Sequence, residues 1–220
     1  KFHEMTYPTW APGGERVVIP YGISEDFCSN LVSKETPAPR AVFTSNPLRS
    51  LDWLLNLWAR YIQPKVPAAE LHLFTGAATY GAVGEASAGD MARVLEQAKS
   101  LASHGVIIRG ALPKARLIDE FRRARCMLYR GDINETFCLA VGEAQAMGVP
   151  AVVQQFGSVV ERVIDGETGF IACDDYAFTD AAIQLLSDDA LWRYQHLSAI
   201  EKQRSWRWSD AAAVFENLLE

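Results

Sequence analysis

The sequence lacks the features that mark secreted, metal-binding and membrane-spanning proteins. Its four cysteines, Cys28, Cys126, Cys138 and Cys173, are scattered, without the paired spacing of a metal site or a small disulfide framework. The longest apolar runs, such as Val149–Val153, are too short to cross a bilayer, and no signal peptide is visible. We therefore expect a protein of the reducing cytoplasm that has no metal site.

An excess of basic residues is also missing. Lys and Arg number 21 against 27 Asp and Glu, which gives the 220-residue chain a formal charge of -6. Nucleic-acid binders usually present a basic face, so we expect no nucleic-acid partner. A small anionic ligand remains compatible with this charge, because a helix N-terminus and one or two arginines suffice to bind phosphate. The hydrophobic content of 49% predicts an ordinary globular protein with one large core.

Strand and helix patterns alternate along most of the chain, after an irregular segment at residues 1–15. The predicted strands are short apolar runs: RVVIPYGI (16–23), AVFTS (41–45), ELHLF (70–74), GVIIR (105–109), CMLY (126–129), PAVVQ (150–154) and FIAC (170–173). The predicted helices lie at 50–62, 89–104, 114–125, 138–148, 159–165, 176–187, 189–204 and 209–220. Repeated βα alternation with fully apolar strands predicts an α/β fold, a Rossmann-like doubly wound parallel sheet.

Ligands of such folds bind outside the carboxyl ends of the strands, so the loops that follow strands are the candidates for chemistry. The loop 44–50 (TSNPLRS) carries Arg49 directly before a helix. Backbone donors, the helix dipole and a guanidinium would converge there on a diphosphate. The alternative is an arginine that is simply solvated on a loop.

Two further loops are less specific. The tight turn Arg109–Pro113 (RGALP) exposes backbone amides and carbonyls that could read the edge of a base, although most such turns only connect elements. The loop 76–89 is rich in small residues and is predicted to be mobile. A Rossmann-like fold could also belong to a dinucleotide-dependent oxidoreductase. The glycine spacing of this loop after its strand does not match G-x-G-x-x-G, the dinucleotide-binding motif, and argues against that alternative.

The segment 134–153 (NETFCLAVGEAQAMGVPAVV) places two carboxylates around a predicted helix start. The amides of Thr136, Phe137, Cys138 and Leu139 are predicted to form its free first turn, between Glu135 and Glu143. Carboxylates would repel a phosphate bound there, so they are better explained as acceptors for hydroxyl groups on both sides of it. A nucleotide sugar has that arrangement. The alternative is that Glu135 caps the helix and Glu143 lies on the surface.

The same segment resembles the Glu-x7-Glu motif of retaining GT-B glycosyltransferases, notably the large family 4. The resemblance covers most of the chain, in the order expected of the donor-binding domain. Its other matching segments are VVIPYGISEDF, TSNPLRSLDWLL, GVIIRGALPKARLIDEFRRARCMLY, VVERVIDGETGFI and WSDAAAVFENLLE. The resemblance implies a linker at 1–20, a donor-binding Rossmann-like domain at 21–207 and a C-terminal helix at 208–220.

The resemblance also implies roles for the residues around the predicted helix start. Glu143 is expected to accept hydrogen bonds from the ribose hydroxyls, and Glu135 to face the transferred sugar as the catalytic residue. The amides of Thr136, Phe137 and Cys138 are expected near the sugar hydroxyls, and the helix start, with Leu139 in its first turn, near the distal phosphate.

Further donor-binding residues are implied in the other two loops. Arg49 takes the position of the family's phosphate-binding lysine, beside Ser45. Asn46 replaces the family's partner arginine, which weakens the positive clamp. The turn with Gly110 and Ala111 is expected to meet the base.

A GT-B enzyme has two such domains, and this chain has the length of one. The resemblance therefore implies the C-terminal half of a retaining, metal-independent glycosyltransferase that needs no cofactor beyond its nucleotide-sugar donor. The expected partners are an N-terminal acceptor domain of the same protein and a glycan or lipid-linked acceptor. Peripheral association with the inner face of the cell membrane is expected through that missing half, and this half alone is expected to be inactive. The alternatives are a non-catalytic nucleotide-binding domain and a sugar-nucleotide epimerase of GT-B fold.

Overall fold

One sheet of six parallel strands organises the molecule. The computed structural model describes residues 2–11, 14, 16–28, 35–76 and 85–218. The strands are β1 Arg40–Phe43, β2 Glu70–Leu73, β3 Val106–Ile108, β4 Cys126–Leu128, β5 Ala151–Gln154 and β6 Gly169–Ala172. Their order in the sheet is β3-β2-β1-β4-β5-β6, and every neighbouring pair is parallel. This is the Rossmann order, so the predicted doubly wound α/β fold is confirmed.

Helices connect the strands and cover the sheet. They are α1 Phe2–Met5, α2 Leu51–Leu57, α3 Ala88–Ser100, α4 Lys114–Phe121, α5 Leu139–Ala146, α6 Asp175–Ser187, α7 Asp189–Lys202 and α8 Trp208–Asn217. A π-helical turn, Trp58–Ile62, continues α2, and short 3-10 helices lie at Glu25–Cys28, Ala102–His104 and Gly157–Arg162. Among the described residues, no helix is both long and apolar enough to cross a bilayer.

The central strands are apolar because both faces of the sheet are covered. All residues of β4 and β5 are buried, as are the three residues Ala41–Phe43 of β1. The two largest core side chains, Trp58 and Trp192, each donate their indole N–H to a backbone carbonyl, at 2.8 and 3.0 Å. A buried indole that left this donor unpaired would cost free energy, so these bonds allow the large rings to fill the core.

The two ends of the described chain run side by side. The amide of Ile23 donates to the Trp206 carbonyl at 3.1 Å, and the Trp206 indole donates to the Pro20 carbonyl at 3.0 Å. A Cβ on Gly22 would lie 2.0 Å from the backbone nitrogen of Trp208, so only glycine permits this approach. The segment 20–23 is thereby held against the start of α8.

The predicted strand at 16–23 is wrong. Among the described residues, its only β-pairing is an isolated bridge between Ile23 and Arg207. Val17 and Val18 are 46% and 47% exposed. The apolar run therefore follows the other end of the chain and does not join the sheet.

Two helix predictions are also corrected. Helix α1, the four residues Phe2–Met5, lies where the sequence predicts only irregular structure. The Phe2 amide donates to the Glu161 carboxylate at 2.7 Å. Helix α5 begins at Leu139, so Thr136–Cys138 precede the helix and do not form its first turn. The predicted mobile loop at 76–89 lies largely outside the described residues, because 77–84 are not described.

Candidate functional site

The candidate site lies at the carboxyl ends of β1 and β4, where the strand order of the sheet reverses. From β1 the chain passes through 44–50 into α2, and from β4 it passes through 129–138 into α5. A cavity of about 230 Å³ opens between these two loops. Most of the predicted site residues line this switch-point cavity, namely Ser45, Arg49, Glu135, Thr136, Phe137, Cys138 and Leu139.

The loop into α5 is held in an unusual backbone conformation. Cys138, at the N-cap of α5, has φ 60° and ψ 71°, a left-handed conformation that residues other than glycine rarely adopt. The loop packs tightly on the turn after β5, since a Cβ on Gly157 would lie 2.1 Å from the Asp132 carbonyl oxygen. The Ser158 amide also donates to the Glu135 carbonyl at 3.0 Å. A strained residue of this kind beside a cavity is typical of functional sites.

Arg49 and Glu135 form an ion pair across the cavity. Arg49 Nη1 lies 2.5 Å from Glu135 Oε2, and the Tyr129 hydroxyl donates to the same oxygen at 2.9 Å. Burial alone would lower the pKa of Arg49, but Glu135 and Tyr129 outweigh it and raise that pKa. Burial, with Cys138 and Glu135 nearby, raises the pKa of Tyr129, so its hydroxyl stays a donor. The cavity thus holds a permanent cation beside a nearly buried carboxylate.

Asn46 shapes the loop around Arg49 without lining the cavity. Its side-chain oxygen accepts a hydrogen bond from the Leu48 amide at 2.8 Å, and its carbonyl accepts one from the Arg49 amide at 2.9 Å. The next residue, Ser50, has φ 60° and caps α2 without a side-chain hydrogen bond. Asn46 therefore sets the turn that presents Arg49, a role that its predicted contact with the donor did not include.

Glu143 lies in the second turn of α5 and is buried, so the interpretation of this residue as a surface glutamate is wrong. Its Oε1 lies 2.6 Å from Lys114 Nζ, and Lys114 is the first residue of α4. Burial raises the pKa of Glu143, and Lys114 offsets only part of that effect. The sequence prediction missed Lys114, although its position directly after the turn 109–113 placed it near the predicted base contact.

Gly110 and Ala111 lie in the turn between β3 and α4, apart from the residues that line the switch-point cavity. Gly110 has φ 71°, and a Cβ there would meet nothing within 4 Å. The preceding Arg109 donates from Nε to Nδ1 of the buried His72 at 3.3 Å. The predicted site residues therefore fall into two groups: the cavity group with Arg49 and Glu135, and a second group around the Lys114–Glu143 pair.

Tyr21 is a second residue that the sequence prediction missed. It lines the switch-point cavity and is 52% exposed. Its ring lies 5.3 Å from Phe137 and stacks on Trp208 at 5.5 Å, while the Arg162 guanidinium lies 4.2 Å from the Phe137 ring on the same cluster. The signal was its position in VVIPYGISEDF, one of the segments that resemble the family.

The described residues also limit what else the site can hold. Nowhere among them do three or more His, Cys, Asp or Glu side chains converge closely enough to hold a metal ion. The positive charge in the cavity comes from Arg49 and from the amides at the start of α5. This arrangement can bind an anion and can orient hydroxyl groups with Glu135.

The sequence of this chain matches one protein family and several characterised glycosyltransferases and synthases in part. The profile of the family described as "Glycosyl transferases group 1" matches residues 39–188. The D-inositol 3-phosphate glycosyltransferase of Corynebacterium diphtheriae is 37% identical over 87 residues, which cover 39% of this chain and 20% of that protein. The trehalose synthase of Pyrococcus horikoshii is 30% identical over 90 residues, which cover 41% of this chain and 22% of that protein. The matched segments thus span about a fifth of these curated relatives.

Solved structures match over nearly the whole chain. The sucrose-phosphate synthase of Thermosynechococcus elongatus superposes with a TM-score of 0.77 at 18% identity, over 99% of this chain and 55% of that one. Alr3699/HepE of Anabaena, solved in complex with UDP and glucose, gives a TM-score of 0.66 at 15% identity, over 83% of this chain and 48% of that one. At these identities the likeness shows the fold, and the chain spans about half of each structure.

Proposed function

Since the chain belongs to the glycosyl transferases group 1 family, we propose that it is the donor-binding half of a retaining GT-B enzyme. This enzyme transfers a sugar from a nucleotide sugar to a hydroxyl of a glycan or lipid-linked acceptor, and the acceptor binds to an N-terminal domain of the same protein. This half alone does not transfer sugar, because the acceptor side of the cleft belongs to the other domain. We propose the cytoplasm as its location, since the four cysteines are free thiols and disulfides persist mainly in oxidising compartments. Contact with the membrane is assigned to the proposed N-terminal domain.

The Arg49–Glu135 pair carries the proposal. A diphosphate in the cavity competes with Glu135 for the Arg49 guanidinium and also meets the free amides at the start of α5. Glu135 then becomes available to accept hydrogen bonds from the sugar. Thr136, Phe137 and Cys138 line the same cavity. One small cavity therefore supports both an anion and a polyhydroxylated ring.

In the proposed reaction the bond between the anomeric carbon and the leaving phosphate oxygen breaks. The acceptor oxygen bonds to the anomeric carbon on the same face, and the leaving phosphate oxygen takes the proton of the acceptor hydroxyl. Arg49 and the α5 amides stabilise the negative charge that develops on the leaving diphosphate. Because these groups supply the positive charge themselves, we assign no metal ion or other cofactor to this step.

The nucleoside is assigned to the second group of residues. Glu143, buried and bonded to Lys114, has an acceptor oxygen left for ribose hydroxyls. The turn with Gly110 and Ala111 has open space beside Gly110 and is proposed to contact the base. The donor would thus extend from the turn after β3, past Glu143, to the switch-point cavity.

Calorimetry with UDP, GDP and ADP and their sugars, each with and without EDTA, tests this function. UDP is the first choice because Alr3699/HepE was solved with UDP and glucose. We expect one nucleoside diphosphate to bind with the same affinity in both conditions. Failure of all three to bind would contradict the donor-binding role, and loss of binding in EDTA would contradict metal independence.

A further inference from the structure

A second and larger cavity lies along α2. It has a volume of about 620 Å³ and lies between α2 with its π-helical turn and the start of α6. None of its lining residues lines the switch-point cavity. Its volume is within the range of about 300–1,000 Å³ that is typical of small-molecule sites.

The inner wall of this α2–α6 cavity is fixed by hydrogen bonds and ring contacts. The Trp53 indole N–H donates to both carboxylate oxygens of Asp175, at 3.1 and 3.2 Å. The Trp53 ring packs edge-on against Phe178 at 4.8 Å, and the Arg130 guanidinium lies 4.8 Å from the same ring. Gln154 also donates to Asp175 at 3.1 Å. The wall is therefore preorganised, and Asp175 keeps lone pairs free for further donors.

Two of the residues that line the cavity are exposed tyrosines, which we take as its rim. Tyr176, at the start of α6, is 80% exposed, and Tyr61 is 54% exposed. Tyr61 and Arg60 belong to the π-helical turn, a rare conformation that is frequent at functional sites. Single exposed aromatic residues are ordinary. Two exposed tyrosines at one polar cavity, however, form a pair of flat surfaces that a ring-shaped ligand could contact.

We propose that the α2–α6 cavity binds a neutral oligosaccharide. The faces of sugar rings carry weakly positive C–H groups, which pack on the negative faces of aromatic rings such as Tyr61 and Tyr176. The sugar hydroxyls pair with Asp175 as acceptor and Arg60 as donor. The cavity is lined by one cation and one carboxylate, so it favours a ligand without net charge.

Other occupants fit this chemistry less well. A nucleotide would bring its phosphates next to Asp175, and Arg60 is the one cation among the described residues that line the cavity. An apolar protein surface would bury Asp175 and Arg60 away from water, at a cost that an apolar partner could not offset. The oligosaccharide site goes beyond donor binding and does not depend on it.

Ligand-observed NMR and calorimetry with four neutral trisaccharides (maltotriose, cellotriose, chitotriose and mannotriose) test the proposal on the chain itself. We expect at least one to bind, and to bind equally when UDP, GDP and ADP are present in excess. Tyr61→Ala and Tyr176→Ala should each weaken that binding about tenfold, whereas Tyr176→Phe should retain it. Tyr194→Ala removes a tyrosine of α7 that is 53% exposed, about as much as Tyr61, and is the matched control.

Three outcomes would overturn the proposal. The first is that none of the four trisaccharides binds at millimolar concentration. The second is that one binds but both rim variants retain its affinity or Tyr194→Ala loses it equally. The third is that an excess of nucleoside diphosphate displaces the sugar, which would place it in the switch-point cavity. Because the trisaccharide readout needs no nucleotide, failure of the donor-binding proposal would leave this result interpretable.

Discussion

At the scale of single residues, two buried carboxylates each have one cationic partner from a distant part of the chain. Arg49 pairs with Glu135 over 86 positions, and Lys114 pairs with Glu143 over 29. The sequence predicts all of these carboxylates and Arg49 as candidates, because each follows a strand in a fold that binds ligands there. Which cation meets which carboxylate depends on how the loops pack, and no local pattern contains that information.

Glu143 should make the stability of the protein depend on pH. Its pKa is raised in the folded state by burial, so its contribution to stability is complete below its unfolded pKa of about 4.3 and is lost as pH rises through the folded value. Glu143→Gln removes this titration. The free energy of unfolding of the wild type relative to Glu143→Gln should therefore fall between pH 4 and pH 7, as measured by urea denaturation.

The control for this pH series is Glu96→Gln, which removes a carboxylate from the exposed face of α3. The difference in free energy of unfolding between the wild type and Glu96→Gln should not show the fall between pH 4 and pH 7 that is expected for Glu143→Gln. A wild-type advantage over Glu143→Gln that grows with pH would mean that Lys114 outweighs burial and would contradict the assigned direction.

At the scale of elements, the site depends on two helices that begin at strained, left-handed residues. Ser50 precedes α2 and Cys138 precedes α5, both with φ 60°. The sequence predicts both helices, because their apolar spacing is clear, but it places the start of α5 at Cys138. Helix boundaries are set by the local backbone geometry, and a left-handed residue that is not glycine gives no sequence signal.

Ser50 allows the strain before α2 to be measured, because its side chain makes no capping hydrogen bond. Ser50→Gly should keep or raise the free energy of unfolding, since glycine adopts a left-handed conformation without steric cost. Ser50→Val should lower it by about 1–2 kcal/mol relative to Ser50→Gly. Urea denaturation followed by circular dichroism measures the difference, and equal stability of the two variants would show that the turn is not strained.

At the scale of the whole molecule, the sequence predicts the fold class well and the first segment badly. Parallel strands buried on both faces read as short apolar runs between helical patterns, so β1 to β6 are all recognisable. The run 16–23 reads in the same way, yet it packs along the segment 206–208 at the other end of the chain. Such a pairing joins residues more than 180 positions apart, and the local pattern cannot distinguish it from a strand.

Gly22→Ala should separate the two chain ends. A Cβ at this position would meet the Trp208 backbone at 2.0 Å, so either segment 20–23 or α8 must shift. We expect the free energy of unfolding to fall by about 1–3 kcal/mol, together with a change in the fluorescence of Trp208. Gly89→Ala is the matched control, because its Cβ meets nothing within 4 Å and alanine favours helix α3. Equal stability of Gly22→Ala and the wild type would contradict the close approach.

The central claim is that Arg49 binds the diphosphate of the donor while Glu143 binds its nucleoside. Calorimetry of the wild type, Arg49→Ala and Glu143→Gln tests this most directly, with the nucleoside diphosphate that binds and with the matching nucleoside. Arg93→Ala, on the exposed face of α3, controls for the loss of a positive charge. Circular dichroism checks that each variant is folded.

We expect Arg49→Ala to weaken the nucleoside diphosphate by about 1.5–3 kcal/mol, the value of a hydrogen bond to a charged group, and to leave the nucleoside nearly unchanged. Glu143→Gln should weaken both ligands by similar factors, and Arg93→Ala should weaken neither. Equal losses for both ligands in Arg49→Ala, or unchanged binding of both in Glu143→Gln, would contradict the assignment of this site to a nucleotide-sugar donor.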